Sequence, residues 1–184
     1  MNHETPRIAV VFATAQGSTK AIAECIGADL AHRGAQVEVA DAEHAPELSR
    51  FDAVILGSAV HNVDVLPEMT AFTRAHRREL TDRDVWLFTV GLGPALRGPI
   101  GRRIGRVVPP KIAALRDAVQ AVDYKAFAGR FEHVDVSWRA GVVFRLLCGG
   151  RYGDLRDWPS ITEWTATIAH VLRLPQPTTT ITSP

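Results

Sequence analysis

The stretch "VVFATAQGSTKAIAECIG", Val10 to Gly27, decides how the whole chain is read. Its first part belongs to an unbroken apolar run from Ile8 to Phe12. A strand buried on both faces of a parallel sheet has that pattern. The second part sets Ile22, Cys25, Ile26 and Leu30 on one helical stripe between Ser18 and Arg33, with Gly34 where a C-terminal cap belongs. Between them lies "TAQGST", six small or polar residues leading straight into a helix N-terminus. The first N–H groups of a helix lack intrahelical acceptors, and the helix dipole adds to their pull on an anion. Thr14, Ser18 and Thr19 supply hydroxyl donors, Gly17 allows close backbone approach, and Ala15 and Gln16 complete the turn. Two roles fit. Either the loop seats a phosphate, or Ser18 or Thr19 simply caps the helix.

Outward from this unit, strands and helices alternate. "AQVEVADA" exposes Gln36 and Glu38 between Val37 and Val39, the pattern of an edge strand. Ala53 to Leu56 in "DAVILGSA" is a second doubly buried strand. "LPEMTAFTRAHRREL" predicts a helix with Pro67 in its first turn and Met69, Phe72, Ala75 and His76 on one face. "DVWLFTVG" is a fourth strand; Ile112, Leu115, Val119 and Val122 mark another helix; "YKAFAGRF" is a fifth strand. A last helix begins near Asp157 or Trp158 and buries Ile161, Trp164, Ile168 and Leu172. Right-handed crossovers then give an α/β three-layer sandwich around a five-stranded parallel sheet. An edge-like second strand favours the order 2-1-3-4-5 over 3-2-1-4-5, which would bury Glu38 centrally.

The 184 residues suit one domain, residues 1–174, carrying an inserted segment at about 133–152 near the fifth strand. "PQPTTTITSP", residues 175–184, has no packing pattern and is expected to be a disordered tail. Hydrophobic residues make up 46% and charged residues 22%, the balance of an ordinary globular protein. The net charge of +1 points neither to nucleic acid nor to a strongly acidic partner. Two cysteines, Cys25 and Cys148, are too few for a disulfide framework and point to a reducing, cytoplasmic setting. The polar start "MNHETPRIAVVF" does not read as a secretory leader. His61, His76, His133 and His170 have no zinc spacing, and no metal site is expected.

In a sheet of this order, ligands bind beyond the strand C-termini at the switch point between the first and third strands. Three loops reach it. "TAQGST" has no lysine and lacks the spacing of a nucleoside-triphosphate loop or of Gly-x-Gly-x-x-Gly, so a monophosphate such as that of FMN fits it best. In "GSAVHNVDV", Ser58, Ala59, Val60, His61 and Asn62 border a flat ring, or else His61 and Asn62 are solvated turn residues. In "TVGLGPALRG", Val90, Gly91, Leu92 and Gly93 allow backbone to meet a ligand, or else the glycines serve the turn alone.

With these three stretches in place, "VVFATAQGSTKAIA", "DAVILGSAVHN" and "VWLFTVGLG" resemble the flavodoxin superfamily. The phosphate-loop pattern there is Thr/Ser-x-Thr/Ser-Gly-x-Thr, matched by Thr14, Gly17 and Thr19, while Gln16 stands at the middle hydroxyl position. "FAGRF" and "GGRYGDLRDWPSITEW" extend the resemblance, from Ile8 to about Leu172, to the flavodoxin-domain family that includes menaquinone-dependent protoporphyrinogen IX dehydrogenase. That resemblance implies a flavodoxin-like fold, noncovalent FMN at the three loops, and oxidation of a tetrapyrrole in heme biosynthesis with a quinone as acceptor. Where that enzyme has Tyr-Gly after the third strand this chain has Asn62-Val63, and its inserted segment is more apolar.

Two further segments bear on partners. Ser137 to Cys148 reads as a short helix, with Trp138, Val142, Val143, Leu146 and Leu147 covering much of its surface. It buries against its own domain, in a homodimer, against a quinone, at the inner face of a membrane as a peripheral contact, or as a lid bringing Trp138 to the flavin. Arg97, Arg102, Arg103, Arg106 and Lys111 form a basic loop that pairs with tetrapyrrole propionates or lipid headgroups, or is simply solvated. Three functions remain open: an FMN-dependent oxidoreductase, an electron-carrier flavodoxin, and a module that keeps the fold without the flavin. Electron carriers of that kind are strongly acidic, unlike this chain.

Overall fold

The computed structural model describes residues 5–95, 107–131 and 153–175. The inserted segment with its helix, Arg97 to Arg106 of the basic loop, Cys148 and nearly all of the tail lie outside the described residues. The described elements are β1 (Arg7–Ala13), α1 (Ser18–His32), β2 (Gln36–Asp41), β3 (Ala53–His61), β4 (Asp64–Val65), α2 (Pro67–Ala75), α3 (Arg77–Thr81), β5 (Asp84–Gly91), α4 (Pro110–Ala118), β6 (Asp123–Ala128), β7 (Arg130–Phe131), β8 (Gly153–Asp154) and α5 (Trp158–Val171).

The main sheet runs β2-β1-β3-β5-β6 with every neighbour parallel. Its five long strands follow the expected order, and β2 is the edge that its alternation indicated. A sixth strand, β4, folds back antiparallel on the end of β3, pairing Val60 with Val65 and His61 with Asp64. Side chains alternate across the pleat, so each strand feeds two cores. Ile8, Val10, Ile55, Trp86 and Phe88 face α1 and α5. Ala9, Val11, Val54, Leu56, Val85 and Leu87 face α2, α3 and α4. On the first face Phe127 and Phe88 both pack near edge-on to Trp164, at centroid distances of 5.6 and 6.0 Å. The Trp164 indole N–H donates to Asp123 at 2.7 Å, so the ring's polar edge is paired where its body is buried.

Three further details depart from the sequence reading. The helix expected across residues 66–80 is two, because His76 at φ −103° breaks the helical path between α2 and α3. The periodicity runs through the break, so pattern alone does not reveal it. His76 stacks on Phe72 at 4.6 Å and pairs with Glu79 at 3.0 Å. The helix of Ile112 ends at Ala118, and Gln120 at φ +50° turns the chain, leaving Val122 exposed. "YKAFAGRF" is not one strand. Gly129 separates β6 from β7, which leaves the main sheet and pairs with β8, framing residues 132–152.

Candidate functional site

The first turn of α1 presents the donors that an anion seat needs. Gly17 is the N-cap residue, with φ +84° and no side-chain cap, so neither Ser18 nor Thr19 caps the helix. That left-handed backbone is costly for any residue with a Cβ. The Gly17 N–H donates to Thr14 Oγ1 at 2.9 Å, closing the loop on itself. The first intrahelical bond runs from the Ala21 N–H to the Gly17 carbonyl at 3.0 Å, so the amides of Ser18, Thr19 and Lys20 precede it. Ser18 Oγ accepts the Arg130 N–H at 3.0 Å and keeps its own proton to donate. Thr19 Oγ1 is fully buried and has no hydrogen-bond partner, alone in this among the described side chains. An unpaired buried hydroxyl is unfavourable by about 1–3 kcal/mol, a penalty that an oxygen-bearing ligand in the adjoining cavity would relieve.

A cavity of about 260 Å³ opens on this turn. Thr14, Ala15, Gln16, Ser18 and Thr19 form one wall, and Ala59, Val60, His61, Val90 and Gly91 at the ends of β3 and β5 form another. Leu66, Gly129 and Arg130 complete it. Sequence reading missed these three because they arrive from the start of α2 and the β6–β7 junction, and only non-local packing brings them in. "FAGRF" was the available signal for the last two. A phosphomonoester fits the donor set: first-turn amides, the Thr14 and Ser18 hydroxyls, and the orphaned Thr19 hydroxyl.

A second and larger cavity, about 780 Å³, lies on the α4 side of the sheet and adjoins the first at Val60 and Gly91. Asn62, Val63, Leu92, Gly93 and Pro94 form its rim, and Thr89, Tyr124, Ala126 and Ile112 its floor. Its described walls are apolar apart from Asn62 and a hydroxyl pair, Thr89 Oγ1 to Tyr124 Oη at 2.7 Å. Burial, against a smaller opposing effect of the Thr89 bond, pushes the Tyr124 phenol up, which keeps it protonated at neutral pH.

Not every expected residue reaches a cavity. Ser58 is fully buried; its Oγ accepts the Leu66 N–H at 3.0 Å and donates to the Ala59 carbonyl at 2.9 Å. It anchors the entry to α2 and lines neither cavity. Lys111, counted with the basic loop, pairs with Asp64 at 2.8 Å, tying α4 to β4. Cys25, on α1, is half-buried against the core, where burial first and Asp29 second push its thiol up, so it is no ready nucleophile. The exposed trio Asp41, Glu43 and His44 gathers where β2 ends, with His44 Nδ1 2.8 Å from Asp41 Oδ1; this hydrogen bond draws the Asp41 carboxyl down and the His44 imidazole up.

The β3–β4 hairpin carries an unusual turn. Asn62 and Val63 have φ of +49° and +63°. A two-residue turn with both φ positive favours Asn-Gly, and a β-branched side chain at its second position is strained by about 1–2 kcal/mol. Val63 is also 63% exposed. Val63→Gly is expected to raise the unfolding free energy by up to about 1 kcal/mol in urea melts, the relief of strain exceeding the added entropy of glycine.

At the β7–β8 clasp, Arg156 grips Asp154 through two bonds of 2.7 and 2.6 Å and holds its carboxyl down to about 2. No described helix is long and apolar enough to cross a membrane.

No curated protein matches the chain in sequence. Among solved structures, a flavodoxin from the domain Archaea superposes with a TM-score of 0.56 at 17% identity, covering 91% of this chain and 99% of that one. Oxidised flavodoxin 1 from Bacillus cereus gives 0.55 at 15% identity, covering 89% and 97%. The rubredoxin oxygen:oxidoreductase of Desulfovibrio gigas gives 0.56 at 15% identity, covering 92% of this chain but 37% of that one. These likenesses establish the fold. The Flavodoxin domain family matches residues 9–139, most of the chain's length, across the loop, both cavities and the strands that carry them. The chain therefore belongs to the flavodoxin domain family, and its cofactor is FMN.

Proposed function

We propose that this chain is an FMN-dependent oxidoreductase that oxidises a reduced tetrapyrrole of the protoporphyrinogen class and passes the electrons to a quinone. The observation that carries the enzyme reading is the 780 Å³ cavity beside the phosphate seat. A one-electron carrier needs only its flavin and an exposed ring edge, whereas this chamber, in the size range of small-molecule sites (about 300–1,000 Å³), runs on past the rim that borders the ring to Thr89, Tyr124, Ala126 and Ile112. The net charge of +1 gives no strong field to steer a basic protein partner. The tetrapyrrole and the quinone rest on the resemblance of the three loops, "FAGRF" and the segment before α5 to the dehydrogenase family.

Bound FMN supplies reversible two-electron chemistry; the chain holds and shields it. The first-turn amides of α1 and the hydroxyls of Thr14, Ser18 and Thr19 hold the phosphate. Backbone of Asn62 and Val63 on one side, and of Leu92 and Gly93 on the other, borders the space for the ring. Apolar walls at Val60, Leu92 and Ile112 keep water from the larger chamber.

Titrating FMN into the purified full chain is expected to quench the flavin fluorescence saturably. Addition of protoporphyrinogen IX and a quinone is then expected to yield porphyrin fluorescence above the uncatalysed rate. Flavin binding without turnover would leave an electron carrier, and absence of flavin binding would leave a scaffold that keeps the fold alone.

A further inference from the structure

We infer that the floor of the larger cavity is a separate seat for an uncharged ring compound bearing one hydroxyl or carbonyl oxygen, held by the Thr89–Tyr124 hydroxyl pair. The seat lies on the α4 face of the sheet, beyond the rim of Asn62, Val63, Leu92 and Gly93 that borders the flavin ring, while the phosphate seat lies where α1 begins, and only Val60 and Gly91 border both cavities. Its role as an acceptor site rests on the oxidoreductase reading; its existence as a binding site does not.

Three observations define the ligand. First, no charged side chain is among the described lining residues. A carboxylate placed there would lose its hydration and meet one neutral hydroxyl donor but no cation among the described residues, which is unfavourable. The described floor therefore suits a neutral electron acceptor better than the propionates of a tetrapyrrole. Second, Thr89 and Tyr124 are each other's only described hydrogen-bond partner through their hydroxyls, 2.7 Å apart. Two hydroxyls carry two protons and use one between them, so one donor remains for a ligand oxygen. Third, the rest of the floor and wall is flat or aliphatic: Ala126, Ile112 and Val108 accept a ring by apolar contact. Burial of the phenol keeps it protonated and therefore donating.

Unreactive probes test this without electron transfer. The FMN-titrated full chain is dialysed to equilibrium against 2-naphthol, naphthalene or 2-naphthoate. Saturable binding of 2-naphthol is expected, with naphthalene and 2-naphthoate each at least about tenfold weaker, the span of one hydrogen bond or one unpaired charge. Thr89→Val with Tyr124→Phe keeps the shapes and removes both hydroxyls; it should bring 2-naphthol down to the level of naphthalene and leave naphthalene unchanged. Ala126→Leu fills the floor and should weaken both. Circular dichroism melts confirm that each variant is folded, and flavin fluorescence quenching reports FMN affinity separately. Selective 2-naphthol binding in a chain that takes no FMN would uphold the seat and overturn the enzyme reading. Normal FMN binding with no saturable 2-naphthol, with no preference over naphthalene, or with an undiminished preference in the double variant overturns the seat.

Discussion

Replacing Thr19 with valine is expected to move stability and cofactor affinity in opposite directions. Valine has nearly the shape of threonine, and the position is fully buried, so packing is preserved. The hydroxyl it removes has no partner among the described residues. Deleting a buried, unpaired polar group relieves a desolvation penalty of about 1–3 kcal/mol, so the apoprotein should melt later, at a higher urea midpoint with an unchanged slope. In the proposed cradle the same hydroxyl donates to the phosphate, and hydrogen bonds to charged groups contribute about 1.5–3 kcal/mol. Loss of that bond predicts FMN binding weaker by about tenfold or more, read from flavin fluorescence quenching. A purely structural Thr19 would give the first effect without the second. Lower stability together with unchanged affinity would remove Thr19 from the cradle.

Gly57→Ala is expected to lower stability by overpacking the core. Gly57 sits in the centre of β3, and its missing side chain is where the Phe88 ring lies. A Cβ built there would fall inside the ring's van der Waals surface, close to three of its carbons. Phe88 cannot retreat freely, because Phe127 and Trp164 pack against it at 6.0 Å each. Overpacking of this kind costs about 1–3 kcal/mol. Urea unfolding of Gly57→Ala should show that loss, and Phe88→Leu should lose stability from its own cavity. The double variant should be more stable than the sum of the two losses predicts, because the smaller side chain makes room for the methyl. Strict additivity would mean that the two sites do not share the space.

Where chemistry was local, it was readable. The Ile8–Phe12 run, the hydroxyl-rich turn and the stripe of α1 are contiguous, and period alone separates strand from helix. Glu38 between Val37 and Val39 placed β2 at the edge because an edge strand tolerates a solvated side chain on one face. What escaped was set by non-local contact or by broken rules. Asn62-Val63 lacks the glycine that announces a tight hairpin, so β4 was invisible. Which hydroxyl would be orphaned was equally hidden. Ser18 and Thr19 are neighbours of similar chemistry, but Ser18 meets an amide 112 residues away and Thr19 meets none. Ser58 resembled a ligand contact until the Leu66 amide claimed it. Tyr124 read only as a strand residue, because its partner Thr89 lies 35 positions earlier on a neighbouring strand.

The bond from the Arg130 amide to Ser18 also orders events in time. A nascent chain can form β1, the hydroxyl turn and α1 soon after their synthesis, since their contacts are close in sequence. The pocket's remaining wall, Gly129 and Arg130, is translated more than a hundred residues later. The amino-terminal half therefore emerges with the groove still open on the side of Gly129 and Arg130, and the groove closes only once the fifth long strand has docked. Capture of the nucleotide becomes a late event, a seal on an almost finished molecule rather than a template for its assembly.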